Sequence, residues 1–313
     1  MNLAAVVIWY NPQKVVNIVQ KTSSYAHCIR VYIIDNSPND NSDLAYQIPG
    51  AIYIPQLKNI GIAAAQNIGC RKALEDGFEW VITMDQDSYF ETGQFERYVQ
   101  EADNYLLSDE KAASFSVSIK DESEKILPLT TYLKIKLKTY LKRNTFSPPP
   151  QTFNTEPIDH PKRVFASANI INLAVWEEIG CFDEGLFIDE VDYDFDIRLQ
   201  MAGYYITRFN NVYLNHKLGN RKFTVFPKYS YHTGERLFFI IRNKLIENRR
   251  YRYATELDRD YIKEVFRYFR DYCILDLRAL QNLLIFTRAF FAYKRFIKED
   301  ALFHKLKEKG LAK

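Results

Sequence analysis

Four short apolar runs punctuate the first quarter of the chain. Residues 3–9, 29–34, 51–54 and 79–84 are rich in β-branched and aromatic side chains and read as strands. The segments between the first two and between the last two have helical character. The second, 61–76, is alanine-rich and stops at Gly77, a natural helix cap. Strand and helix in alternation predict an α/β fold, a doubly wound and mostly parallel sheet with helices on both faces. A helix over 90–107 and a strand over 112–119 continue the pattern.

From residue 120 to 162 the periodicity fails, and Pro128, Pro148, Pro149, Pro150, Pro157 and Pro161 crowd the segment. It reads as a long irregular surface excursion of the kind that covers a binding site. Within it, residues 133–138 alternate apolar side chains with lysine and fit either a basic edge strand or a turn of amphipathic helix. Periodicity resumes as a strand over 164–172, a helix over 191–202 and one or two strands over 204–214. Beyond residue 233 the pattern is helical, with three helices near 234–248, 255–272 and 274–298. The expected organisation is a catalytic domain over 1–232 and a helical region over 233–313.

An apolar fraction of 47% supports a sizeable core and argues against disorder. The cysteines Cys28, Cys70, Cys181 and Cys273 lack any paired spacing that would suggest a zinc site or a disulfide framework, which fits a reducing cytosol. Met1 runs into the first strand without a basic leader, and Asp276, Arg278 and Arg288 interrupt the most apolar C-terminal stretch. A cytoplasmic protein without a transmembrane helix is expected. The net charge of +3 hides an asymmetry: residues 221–313 hold 22 basic against 11 acidic side chains, whereas residues 1–220 hold 20 against 28. With Tyr251, Tyr253, Tyr261, Phe266, Tyr268 and Phe269 interleaved, the basic end suits a peripheral seat on the inner face of the plasma membrane. A solvated helical face or a homo-oligomer contact is the alternative, and no nucleic-acid partner is expected.

Candidate chemistry gathers where strands end. The 80–84 run stops on Asp85-Gln86-Asp87-Ser88, and the carboxyl edge of such a sheet is where ligands bind. Two hard oxygen donors there suit Mg²⁺ or Mn²⁺ carrying a substrate phosphate, which points to a nucleotide diphosphate. A plain acidic turn is the competing account. Tyr10-Asn11-Pro12 and Asp35-Asn36-Ser37 close the first two strands. An aromatic there can cover a nucleobase, and Asp35 can accept from base or ribose, although both triplets are also ordinary turn formers. Residues 59–69, from Asn59 and Gly61 to Asn67 and Gly69, open a helix with small side chains. That would let a diphosphate approach the N–H groups near Gly61, or else pack the helix tightly on the sheet. In the acidic run 187–198, helical spacing puts Asp189, Asp192 and Asp196 on one face and sets Asp194 opposite, in reach of Arg198. One carboxylate facing the metal site could take a proton from an attacking hydroxyl. His216 follows a strand and is a capable further ligand for Mn²⁺.

Together these segments resemble family 2 glycosyltransferases of the GT-A type, most closely their bacterial rhamnosyltransferase branch. The matching pieces are Tyr10-Asn11-Pro12, Asp35-Asn36-Ser37, residues 59–69, Asp85-Gln86-Asp87-Ser88, Gly180-Cys181-Phe182-Asp183-Glu184, Phe187-Ile188-Asp189 with Val191-Asp192, His216 with Gly219, and Arg236 with Arg242-Asn243. The resemblance implies a dTDP- or UDP-linked sugar donor, a divalent metal at the Asp-x-Asp element and inversion at the anomeric carbon. It gives Asp87 a direct metal contact, Asp85 the ribose or a metal-bound water, and His216 an extra ligand position. Asp192 matches the catalytic base, and Arg236 and Arg242 fall near the phosphates or the acceptor. Tyr10, Asn11, Asp35, Asn59, Gly61 and Asn67 fall on the donor side, while Asp189, Glu190 and Asp194 support the acceptor side. Val191 stands where the commoner pattern has an acidic residue, as in the rhamnosyl branch. L-rhamnose from dTDP-L-rhamnose is the donor implied, with UDP-hexose and UDP-galactofuranose as alternatives. The acceptor would be a glycan or a polyprenyl-diphosphate-linked glycan. A sugar nucleotidyltransferase would need a glycine-rich basic loop that residues 3–12 lack, and a non-catalytic glycan-binding module would not need the metal pair and the base together.

Overall fold

A computed structural model describes residues 1–14, 17–26, 29–109, 111–121, 156–216, 234–252, 260–274 and 279–310. Strands β1 (Leu3–Trp9), β2 (Arg30–Asp35), β3 (Ile52–Pro55) and β4 (Trp80–Asp85) form a parallel half-sheet. Its register sets Trp9 beside Asp35 and Ile8 beside Asp85, so the chemistry-bearing strand ends arrive at one edge. The side chains of β1 divide by alternation, as a strand requires. Leu3, Ala5, Val7 and Trp9 pack with α1 (Ile18–Ala26) and α4 (Gln94–Leu106) on one face. Ala4, Val6 and Ile8 pack with α3 (Ile62–Glu75) on the other. The short α2 (Ser42–Ala45) precedes β3.

The small residues of α3 answer to packing. A Cβ added at Gly69 would lie 2.3 Å from a Val6 methyl, so helix and sheet meet at the closest approach a side chain permits. Gly69→Ala would overpack this contact and cost about 1–3 kcal/mol.

The second half of the sheet is mixed. β5 (Tyr89–Phe90), β6 (Ala112–Asp121), β7 (Ile158–Asp159), β8 (Asn169–Asn172) and β9 (Tyr205–His216) complete a nine-stranded sheet of order β3-β2-β1-β4-β8-β6-β9-β5, with β7 on β9. β8 runs antiparallel between β4 and β6, so the parallel arrangement expected for most of the sheet holds for its N-terminal half and for the β6–β9 pair. The α/β class with helices on both faces holds throughout. The strand expected over 164–172 starts only at Asn169, after Ala168 turns the chain at φ 62. Residues 164–167 instead offer polar groups to the neighbouring aspartates. Phe90, expected to open the next helix, instead forms with Tyr89 an edge strand against β9.

Helices α5 (Leu173–Glu178) and α6 (Val191–Met201) cover the face shared with α3. The C-terminal region holds α7 (Gly234–Tyr251), α8 (Tyr261–Phe269) with a π-turn at Arg270–Ile274, α9 (Ala279–Glu299) and a further helix, α10 (Ala301–Glu308), capped by Asp300. Ile246 of α7 and Tyr293, Phe296 and Ile297 of α9 join the core beside Phe195 of α6. Among the described residues no helix is long and apolar enough to cross a membrane. Most of the 120–162 excursion, including residues 133–138, lies outside the described residues, as does Gly219.

Candidate active site

Asp85 ends β4, Asp87 follows two residues on, and His216 ends β9; one ligand atom from each lies within 4.8 Å of the others. The imidazole Nδ1 is 3.8 Å from a carboxylate oxygen of each aspartate. Both carboxylates are about one-third exposed, at 35% and 38%, and Asp85 lines a cleft. Protein atoms crowding the Asp85 carboxyl push its pKa above the usual range; His216 opposes this and Asp87 adds to it. The ligand group is braced from behind. Ser88 Oγ bonds the His216 ring, Ser167 Oγ donates to Ser88 Oγ at 2.9 Å, and the Asp85 N–H donates to Ser167 Oγ at 3.2 Å. Lys21 Nζ donates to the Asp87 carbonyl at 2.8 Å.

Asp192 stands in the first turn of α6 and lines a cleft of about 330 Å³ that Asp85, Asp189 and Arg236 also line. Burial, and after it the nearby Glu190 carboxylate, raise its carboxyl to about 7 against the opposing N–H groups of Tyr193 at 3.0 Å and Ala166 at 3.3 Å. A carboxyl in that range can hold or release a proton near neutrality, which a general base requires. Arg236 forks onto Asp189 at 3.0–3.3 Å, a cation at the cleft wall. Asp189 is not on the Asp192 helix face that its spacing suggests. It sits at φ 64, one residue before the αL N-cap Glu190, so α6 begins only at Val191.

The remaining sequence candidates divide. Tyr10 is 46% exposed beyond β1, with its backbone N–H and C=O both bonded to the Gln86 side chain, and its ring is free to cover a base. The Asn11 N–H donates to Ser37 Oγ at 2.8 Å. Asn59 Oδ1 accepts from Asn36 and from the Gly61 N–H. Asp35 is buried and accepts from the Ser37 N–H, Asn41 Nδ2 and Tyr53 OH, so here it organises the loop beneath the donor side.

Four candidates are engaged by the protein itself. The start of α3 is covered by Phe187: a Cβ on Gly61 would meet that ring at 2.6 Å, and the Ile62 N–H donates to the Phe187 carbonyl. Asn67 is buried and bonds the Phe182 N–H, the Phe182 carbonyl and Glu184. Arg242 donates to the carbonyls of Gly185 and Leu186 and stacks over Phe239. Asp194 is buried between Arg198 and Arg250. Each of the four is spent on packing or internal pairing; local spacing signals the Asp194–Arg198 pair but not the partners of the other three. Sequence reasoning also missed Ser88, Ser167, Gln86 and Lys21; the immediate neighbours of an Asp-x-Asp pair were the available signal for Ser88 and Gln86.

The strand-end carboxylates, the Asp192 carboxyl in a cleft shared with Asp85 and the half-parallel sheet fit a glycosyltransferase of the GT-A type. Residues 14–161, just under half of the chain, match the sequence profile of Glycosyl transferase family 2, which supports a glycosyltransferase of that family. It is 25% identical over 248 residues to the dTDP-rhamnosyl transferase RfbF of Shigella flexneri, covering 78% of this chain and 79% of that one, which sets it near the rhamnosyltransferase branch. In fold it is similar to S. aureus TarS residues 1–349 solved with UDP-GlcNAc, with a TM-score of 0.56, 14% identity and coverage of 94% and 82% of the two chains. GalNAc-T7 solved with UDP, GalNAc and Mn²⁺ gives a TM-score of 0.52 at 12% identity, covering 99% of this chain and 58% of that one.

Proposed function

We propose that the protein is an inverting, metal-dependent glycosyltransferase that moves L-rhamnose from dTDP-L-rhamnose to a hydroxyl of a glycan or lipid-linked glycan. The observation that carries the reaction is Asp192, a carboxyl raised to about 7, in one cleft with Asp85. Two carboxylates and an imidazole fit Mg²⁺ or Mn²⁺ by donor type. Asp85, Asp87 and His216 would hold it, and when bound it supplies positive charge against the departing nucleoside diphosphate.

The chain's own residues do the rest. Asp192 takes the proton from the acceptor hydroxyl as that oxygen bonds to C1 and the C1–O bond to the diphosphate breaks from the opposite side. Arg236 adds fixed positive charge at the cleft wall, and Tyr10 covers the base. The similarity to a dTDP-rhamnosyl transferase supports the donor. UDP-linked hexose or galactofuranose is the second reading, supported by the UDP-GlcNAc complex of the fold relative. A panel of dTDP- and UDP-sugars tests both: dTDP-L-rhamnose should give the largest rise in unfolding temperature and the only efficient turnover. Preference for a UDP-sugar would move the donor assignment to the second reading, and turnover unaffected by EDTA would remove the metal.

The acceptor side includes an anionic membrane surface. Leu280, Leu284 and Phe291 stand exposed along α9, and on the same helix Lys294, Arg295 and Lys298 follow, a pattern of apolar insertion beside cationic side chains. Vesicles of phosphatidylglycerol should carry the protein in flotation where phosphatidylcholine vesicles do not, and Leu284→Ser with Phe291→Ser should abolish it. Unchanged flotation, or a dimer that the same substitutions split, would reassign this face.

A further inference from the structure

The turn that leads into Asp192 is held in an unfavourable shape. Phe187 has φ 67 and ψ −63, and the Ile188 N–H bonds the Leu186 carbonyl at 2.8 Å, a γ-turn with positive φ, the rare and strained form. Asp189 and Glu190 follow at φ 64 and 65. Three non-glycine residues in such conformations cost on the order of 1–3 kcal/mol each, and they persist only where their surroundings over-determine them.

The surroundings are one side of α7. Asn243 is fully buried, and its Nδ2 donates to three carbonyls of the turn: Leu186 at 2.9 Å, Ile188 at 2.8 Å and Asp189 at 2.8 Å. Its Oδ1 accepts from Arg242 Nε at 2.9 Å, so both ends of the amide agree on which atom is nitrogen. An amide has two hydrogens, and three acceptors around it mean that one is shared. No other uncharged side chain of this size offers two donors from one atom. Lys244 then pairs with Glu190 and Arg236 with Asp189, which sets the two side chains that flank the approach to Asp192.

We infer that Asn243 is a positioning residue for the transfer reaction: it holds the strained 186–190 turn and thereby fixes where the first turn of α6 presents the Asp192 carboxylate. This rests on the reading of Asp192 as the base. The metal group at the ends of β4 and β9 does not touch Asn243, so donor-diphosphate binding and proton removal separate in the test.

Asn243→Asp keeps the shape and removes both donors, and Asn243→Ala removes the side chain. Hydrogen–deuterium exchange of the full-length protein should speed at least about tenfold over residues 185–194 in either variant, while peptides from β1 and β4 keep wild-type rates. Binding of dTDP with Mn²⁺ should stay within about twofold, and turnover of dTDP-L-rhamnose should fall about a hundredfold, the scale expected for a reacting group displaced by an ångström. Exchange unchanged over 185–194, or raised equally across the sheet, overturns the inference. So does turnover within about threefold of wild type once the turn is loosened. A wild-type enzyme inactive on every nucleotide sugar would instead sink the proposed reaction, and local exchange would then decide the role of Asn243 alone.

Discussion

Two groups of aspartates each take one member from α6 and behave in opposite ways. Asp194, Asp183 and Asp300 converge on Arg250, whose Nη1, Nη2 and Nε meet them at 2.8, 2.6 and 2.7 Å, and Arg198 takes the other oxygen of Asp194 at 2.8 Å. Burial pushes the Asp194 carboxyl up, but Arg198 and Arg250 outweigh it and hold it below the usual range. Asp85 and Asp192 face a cleft with less cationic compensation, and their carboxyls move up. Matched charge makes structure; unmatched charge, left open to a cleft, makes a place for a cation or a proton. Asp192 and Asp194 are two residues apart on α6, so a half-turn of helix separates the two fates.

The strongest way to break this comparison is Asp192→Asn. Turnover should fall by about 10³-fold or more, near the upper range for a general base, while dTDP still binds with Mn²⁺. Near-wild-type turnover would move the base elsewhere. Arg250→Met tests the matched group: three carboxylates lose a common partner, and stability should drop by about 3–5 kcal/mol in urea denaturation. If that variant instead lost turnover while remaining fully stable, the matched group would belong to the site. Asp87→Ala should weaken Mn²⁺-dependent dTDP binding by about 10–100-fold in calorimetry, with a near-wild-type unfolding midpoint, because an open carboxylate supports little of the fold.

Much of this division was legible in the sequence, and the part that was not has a common cause. Leu3–Trp9 reads as a strand from its apolar run, and the structure returns the same bounds. The pairing of Asp194 with Arg198 follows from i,i+4 spacing and is present. Spacing failed for Asp189, because a left-handed backbone at three non-glycine residues has no local signature; Asn243, more than fifty positions away, imposes it. Gly61 reads equally as a place for a diphosphate or for tight packing, and Asn67 falls on the donor side only by resemblance, because small and polar residues at a helix start serve either a ligand or a neighbouring chain. Phe187 and Phe182, distant in sequence, fill that place. The α/β class survived these errors since it depends on strand order and alternation, which are local.

The smallest effect tests the comparison most sharply, because it concerns stability at the position proposed as the base. Asp192 holds its proton to about pH 7 when folded, whereas an ordinary aspartate in the unfolded chain releases it near 3.8. Between those values the folded state binds a proton that the unfolded state has lost, so the contribution of this group to stability declines as pH rises through the window and is gone above it. Asp192→Asn cannot ionise. At pH 8 the variant should therefore be more stable than the wild type by on the order of 1 kcal/mol, a figure discounted for the partial exposure of the side chain, and the difference should shrink toward pH 4. Activity runs the other way, with wild-type turnover falling about tenfold per unit below pH 7 as the base is protonated. Urea midpoints at pH 4, 6 and 8 check the first claim. An Asp192→Asn difference that is flat across those points would mean that the carboxyl is not held in the uncompensated state that sets it apart from Asp194.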